Sequence, residues 1–583
     1  MHLERRHLLR ASCVRLVRAL EARVKAVAYD AHEEMTVNLL PRRPPEVPSV
    51  GINAHRSAWF SGWEKLYRSL ASSASSMIIE RCVRTCGCIL GAVARSRRVA
   101  DPPKSLWTAA TAMLSLALAG CSELTGTGNE PSHHRRSDGT TAGQSTAASQ
   151  GFPADFDLFA LRNFQDLAVS AYGPEVPVTW MHLVYRLVGE GRMSPPVASR
   201  VYAYVGITLY EAMVPGMRDH QSLAGQLHGL RALPASGRSP CHWPTVANEA
   251  LATILSDLFR DSPSALEAIQ SLRDGYADSF LQEIPRGVFL HSRARGKVVA
   301  TAIARWASRD GFSEYHNCAA SLPDGPGSWV PTPPAFAPPI EPCWGELRTF
   351  AVPSADVTDP GPPLPYSDTP GSDFYNEVRE VYDAVNGLTE EQRAIVRFWA
   401  DGAGTGTPAG HAIMIASQCV TDNGQDLGEA SECFARVGIA VADAFIACWA
   451  TKYRYCLVRP VTYIRQVIDS GWTTPIATPP FPEYTSGHSV QSGAAAQVLT
   501  DVFGPVPFTD HTHDDLGLPP RSFSNFFEAA HEAAISRVYG GIHYRESVER
   551  GLDQGRAIGE YVNGLRFLDG AARGSHLAPE PQS

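Results

Sequence analysis

Helical periodicity is the strongest constraint in this sequence. From Phe152 onward apolar residues recur three and four apart, Pro/Gly loops separate the runs, and alternating strand patterns are few. Pro195-Pro196 opens a helix over 197–214, with Val201, Val205, Thr208, Leu209 and Ala212 on one face. Residues 243–259, 263–284 and 292–308 read as three more, and Leu266, Ile269, Leu272, Tyr276 and Phe280 keep the spacing in the second. Helices resume at 372–386 and again after Thr389, where Thr389 and Gln392 form a capping box. Runs at 411–422, 428–455, 487–503, 522–539 and 543–565 follow. The expected fold class is all-α, a helical bundle occupying residues 152–570.

Asp310 to Thr369 breaks this rhythm. Its prolines, from Pro331 to Pro365, make a long irregular crossing of the kind that serves a site or wraps the surface. No internal repeat, GxGxxG or Walker loop is present to suggest a nucleotide site. A net charge of -9 argues against a nucleic-acid partner.

The first 150 residues differ in character. Residues 1–98 are rich in Arg, Ser and Ala without a sustained apolar period, and read as a mis-called or disordered extension. Cys82, Cys86 and Cys88 have a metal-like spacing but no second pair to complete four ligands. Lys104, the apolar run Leu106 to Leu118 and Leu118-Ala119-Gly120-Cys121 have the layout of an export signal at 99–121. The last four residues resemble a bacterial lipobox, which implies lipidation at Cys121, a membrane anchor and an exported protein of the cell envelope. Residues 122–151 read as a flexible Ser/Thr/Gly linker, and 571–583 as a disordered tail. Seven cysteines follow Cys121, so at least one stays unpaired; Cys419 and Cys433 bracket a polar stretch and are candidates for a loop-closing disulfide.

Chemistry concentrates between Lys452 and His543. Lys452 and Arg459 are seven apart at the end of a helical pattern, which would set them on one face two turns apart. Ser486-Gly487-His488 opens a helix of small residues, and a helix N-terminus presents free N–H groups to an anion. Gly487 allows close approach of the backbone. Arg537 ends a helix, and Gly540-Gly541 turns the chain before His543. Converging cations repel unless an anion lies between them, so these residues read as one oxyanion site.

Lys-x6-Arg-Pro, Ser-Gly-His and Ser-Arg-x5-His, in this order, resemble the vanadium-dependent haloperoxidase and type 2 phosphatidic acid phosphatase superfamily, and bacterial haloperoxidase members above all. The likeness extends through Trp399-Ala400-Asp401-Gly402, Ala450-Thr451-Lys452-Tyr453, Phe481-Pro482-Glu483-Tyr484 and Tyr539 to Arg545. It implies a helical-bundle haloperoxidase/acid phosphatase fold, a vanadate cofactor, and hydrogen peroxide and a halide as partners. Carried over by position, His543 would be the vanadium ligand. Lys452, Arg459 and Arg537 would neutralise the oxyanion, and Ser486 and the Gly487 N–H would donate to it. His488 would be the acid–base group, and Phe481 would flank the halide pocket. Two alternatives stay open on the same residues: an acid phosphatase acting on phosphate esters through a phosphohistidine at His543, with no cofactor, and a non-catalytic oxyanion-binding surface lipoprotein.

The sequence departs from the family pattern twice. Thr485 stands where a proline usually precedes Ser-Gly-His, and Ser547 stands where an Asp usually orients the last histidine. Glu546 or a backbone carbonyl is the expected substitute partner for His543. The loop Asp510-His511-Thr512-His513-Asp514-Asp515 is a polar cap of the site or a divalent-metal loop. Tyr453, Tyr455 and Trp472 read as packing residues near the cleft.

Overall fold

The computed structural model describes residues 167–234 and 239–568. The extension with Cys82, Cys86 and Cys88, the signal with Cys121, the linker and the tail lie outside the described residues. The regular structure of the described residues is almost wholly helical, as an all-α fold requires. In chain order the helices are α1 (Glu175–Glu190), α2 (Pro195–Met213), α3 (Trp243–Leu258), α4 (Pro263–Glu283) and α5 (Arg286–Ala307). After the proline-rich crossing come α6 (Asp373–Asn386), α7 (Glu390–Phe398), α8 (Thr407–Asp422), α9 (Leu427–Tyr455) and α10 (Pro460–Val467). The last three are α11 (Gly487–Phe503), α12 (Phe526–Tyr539) and α13 (Arg545–Asn563). Phe508–Asp510 (β1) and Arg521–Phe523 (β2) pair antiparallel, Phe508 opposite Phe523.

α9 is the axis of the bundle. It is long and apolar enough to cross a membrane by length and composition, yet 94% of its most apolar window is buried inside the protein. Helices α2, α8, α11 and α13 pack around it. Asp426 and Glu429 close a capping box at its start, which satisfies three N–H groups. α11 lies unusually near α13: a Cβ on Gly555 would sit 2.1 Å from the Val490 carbonyl, and Gly551 and Gly559 face α11 in the same way. Only glycine permits that approach.

Several boundaries differ from the expected ones. α9 ends at Tyr455, with Cys456 in the left-handed region. The chain then extends beside 327–329, Val458 N–H donating to Gly327 and Trp329 N–H to Cys456. Lys452 and Arg459 therefore do not share a helix; Arg459 caps α10, since a residue before proline avoids the helical region. The 522–539 run starts its helix only at Phe526, because Asn525 caps it while Arg521–Phe523 pairs with β1. His543 lies before α13, on the turn out of α12. Helices α1 and α10 and the small ladder were not anticipated.

The cysteine pairing also differs. Cys419 and Cys433 are unbridged buried thiols on α8 and α9, and the stretch between them is closed by the Asp426 cap. Among the described residues the bridge that forms is Cys318–Cys343, with Cα atoms 6.1 Å apart, at the start of the proline-rich crossing. That crossing is seated against α9. Trp449 Nε1 and Tyr453 Oη both donate to the Ile340 carbonyl, and Ile340 N–H donates to Pro480. Three N–H groups from Phe350 to Val352 donate to the buried Asp443 carboxylate on α9.

Candidate active site

Lys452 sits in the last turn of α9 and is fully buried. Its Nζ donates to three backbone carbonyls: Pro482 (3.0 Å), Glu483 (2.9 Å) and Thr485 (2.5 Å). Burial pulls this ammonium down to about 8, further lowered by Arg459 and opposed by Cys448 and Glu483. Arg459 is equally buried. Its Nε donates to the Phe481 carbonyl (2.8 Å), and its Nη1 to the Ile542 carbonyl (2.7 Å) and to His543 Nε2 (3.2 Å). Its Nη2 is buried and has no hydrogen-bond partner among the described residues. Arg537 donates to the Ser536 hydroxyl and the Trp399 carbonyl. Burial draws both guanidinium groups down to about 10.

His543 is placed by the end of α12. Ile542 N–H returns to the Arg537 carbonyl (3.1 Å), and Gly541 takes a positive φ of 71°. A Cβ on Gly541 would also meet Trp472 at 3.0 Å, so this turn requires glycine. The ring is held by Glu483. Its Oε1 lies 2.7 Å from His543 Nδ1 and accepts the Tyr544 N–H at 2.9 Å. With Nδ1–H donating to the carboxylate, Nε2 carries the lone pair. Burial holds the imidazole well below its ordinary range, and Arg459, Lys452, Arg537 and His488 add to the effect. The ring is thus neutral, with Nε2 on the side of Arg459.

The expected partner of His543 is corrected here. Glu546 turns away: its Oε2 accepts the Leu364 N–H of the crossing. Glu483, three residues before Ser486, takes the role from the opposite side. Burial raises it to about 7, opposed by Arg459, Lys452, the Tyr544 N–H and the Ser547 hydroxyl. Ser547 thus faces the carboxylate that replaces the family's aspartate. Thr485 is accounted for as well: its hydroxyl donates to Gln554 Oε1 (2.7 Å), whose amide donates to Thr451 (3.1 Å).

Ser486 caps α11, its Oγ accepting the Ser489 N–H, which leaves the hydroxyl hydrogen free to donate. A Cβ on Gly487 would meet the Trp449 ring at 3.5 Å, so space on that side does not demand glycine. Phe481 packs between the Trp449 ring, at 4.9 Å, and two cations: Lys452 Nζ at 5.1 Å and Arg459 Cζ at 4.9 Å from its centroid. His488 stands nearest to solvent. Its Nε2 lies 3.7 Å from Asp401 Oδ2, beyond hydrogen-bond reach. Burial brings this imidazole down to about 4, Arg537 lowers it further, and Asp401 opposes both.

Three buried cations whose donors mostly meet neutral carbonyls, one unpartnered Nη2 and one imidazole lone pair together fit a bound oxyanion. The comparisons agree. A family model described as the VCPO second helical-bundle domain matches residues 432–567. A solved structure described as the first bacterial vanadium-dependent iodoperoxidase is 40% identical, with a TM-score of 0.63 over 68% of this chain and 97% of that one. The chain belongs to the vanadium-dependent haloperoxidases. A holo-type bacterial vanadium-dependent chloroperoxidase shares the fold at 17% identity, with a TM-score of 0.51 over 64% of this chain and 92% of that one. No curated protein matches.

In this family member, sequence reasoning gave no role to Glu483, Asp401, His411 or Trp449. Glu483 and Asp401 lie inside the motif runs quoted above; a lone carboxylate in an apolar, proline-rich run was the available signal. The loop 510–515 divides. Asp510 and His513 turn inward and are buried, whereas His511 pairs with Asp514 at the surface (2.9 Å) and Asp515 is exposed. The six residues therefore do not form one metal loop.

Proposed function

We propose that the protein oxidises a halide with hydrogen peroxide, using vanadate held between Lys452, Arg459, Arg537, Ser486, the Gly487 N–H and His543. The supporting observation is the neutral His543, fixed by Glu483 with its Nε2 turned to Arg459, whose Nη2 is buried without a partner among the described residues. Vanadate, when bound, supplies Lewis-acid activation of hydrogen peroxide without changing its own oxidation state. The chain does the rest. The three cations and the α11 N-terminus balance the anion's charge in a water-poor setting. Glu483 holds the His543 proton at Nδ1, which leaves Nε2, 3.2 Å from Arg459 Nη1, without a proton. His488, neutral at pH 7 and the most exposed of the group, is the proton carrier, with the Asp401 carboxylate 3.7 Å from its Nε2. Phe481 and Trp449 make an apolar wall where a soft halide can lie. The likeness to an iodoperoxidase makes iodide the halide to test first.

The test uses protein loaded with vanadate beside the vanadate-free form. Iodide and bromide oxidation with peroxide is measured next to hydrolysis of a phosphate ester. Halide oxidation that needs vanadate is the expected result. Ester hydrolysis alone would assign the acid phosphatase instead, and tight vanadate binding without either reaction would assign a binding protein. We also propose that Cys121 carries a lipid and anchors the enzyme to the cell envelope. Mass analysis of the native N-terminal peptide checks this, and a mature chain retaining residues 1–98 would end it.

A further inference from the structure

A second buried polar cluster lies behind His488, and nothing in the oxyanion cradle uses it. His411, in the first turns of α8, is 1% exposed. Its Nδ1 lies 3.0 and 3.1 Å from the two Asp401 carboxylate oxygens, and its Nε2 lies 2.7 Å from Asp510 Oδ2. His513 Nε2 adds a contact of 3.1 Å to Asp401 Oδ1. The Trp399 indole stacks on the His411 ring, centroids 4.5 Å apart and planes 20° apart. Asp510 is itself fixed by the Thr512 N–H at 2.9 Å. Each ring nitrogen of His411 faces a carboxylate, so both carry hydrogen and the ring is an imidazolium. Burial opposes that charge, but Asp401 and Asp510 outweigh it and push the group up to about 10. The same contacts hold Asp401 well below the carboxylate range against the effect of burial.

We propose that His411, backed by Asp510 and flanked by His513, is a positioning residue that fixes the Asp401 carboxylate against His488. The inference rests on the haloperoxidase reading, because it assigns these residues to the proton-carrying side of that site. Asp401 lies on a loop with a positive φ of 44°, a backbone state few residues hold unaided. Hydrogen bonds from two imidazoles on separate segments, His411 on α8 and His513 on the 510–515 loop, replace the rigidity that a helix would give. Asp401, His411 and His513 also place ligand atoms within 4.8 Å of one another, which a divalent cation can bridge. The hydrogen bonds leave both His411 nitrogens and the Asp401 oxygens already partnered, so the geometry favours the network over the cation.

The experiment compares the full chain with His411→Phe, His411→Gln and Asp510→Asn, each loaded with vanadate. Expected in His411→Phe are a vanadate Kd within about twofold of wild type and a kcat lower by roughly tenfold or more, the scale of a slightly misplaced group. His411→Gln, which still donates to Asp401, recovers part of that loss. A folded His411→Phe with unchanged kcat overturns the proposal; if it does not fold, an unchanged kcat in Asp510→Asn does so. Metal analysis of the wild type forms the second arm. One divalent ion per chain, absent from the His411 variants and needed for activity, would overturn the network in favour of a metal site. The third arm needs no turnover: 15N-histidine spectra of the vanadate-free protein should show the His488 signals displaced in both His411 variants. Unmoved His488 signals overturn the proposal. Moved signals in a protein that oxidises no halide support it and sink only the haloperoxidase reading.

Discussion

On one side of the site, three buried cations hydrogen-bond mainly to neutral backbone carbonyls. On the other, buried imidazoles face the carboxylates of Asp401 and Asp510. Both walls are equally dry, so the difference is one of charge. A carbonyl orients an ammonium or guanidinium without cancelling it, and the positive field survives for an incoming anion. A carboxylate cancels its partner, and the histidine wall, with two carboxylates to one imidazolium, is left polar, ordered and without a positive field. Glu483 is the exception on the basic side, but its carboxylate is directed at His543 and burial raises it to about 7. One wall is built to attract, the other to position.

The largest effect should come from His543→Ala, which removes the nitrogen both walls serve. Halide oxidation should fall to background, at least about 10³-fold, with the helical circular dichroism unchanged. Asp401→Asn should separate the walls: kcat falls by about 10²-fold while the vanadate Kd, read by titration, moves little. A Kd that moved as far as kcat would break the comparison. Glu483→Gln should act on the opposite side, weakening vanadate binding by roughly tenfold to a hundredfold, the range for groups that orient a metal-bound histidine.

Two pH effects follow, and they are smaller. Lys452 is lowered to about 8, so it loses its charge as pH rises past that value. Vanadate affinity should then fall, at most about tenfold per pH unit above 8, and Lys452→Met should lose this dependence. His411 is raised to about 10 from 6.5, so the folded protein keeps a proton that the unfolded chain releases in between. Its contribution to stability is full below pH 6.5 and is lost as pH rises to about 10. Urea unfolding of wild type minus His411→Gln should show this window, at a scale of at most about 5 kcal/mol. Lys452 acts with opposite sign between about 8 and 10.5, but it is common to both proteins and cancels in the difference.

The bundle was legible because helix periodicity is a local property. The Thr389 cap, the Pro195-Pro196 start and the 29-residue run of α9 all follow from neighbours in sequence. The cations of the site were legible for a similar reason, since their spacing forms recognisable motifs. Their partners were not. Glu483 and His543 are 60 residues apart, and His411 and Asp510 are 99 apart; no local rule joins them. The break at Cys456 was hidden because the pairing that competes with the helix comes from Gly327 to Trp329, far upstream. The Cys318–Cys343 bridge was hidden in the same way within the irregular crossing.

The three carbonyls around Lys452 Nζ belong to residues 482, 483 and 485. The same five-residue stretch carries the side chain that orients His543 and ends at the cap of α11. A single ammonium therefore binds the histidine's partner and the anion-facing helix start into one inheritable unit. Substitutions within 482–486 should not act independently of Lys452, and double mutants should show strong non-additivity. Along an evolutionary path, such a loop changes as a block or hardly at all.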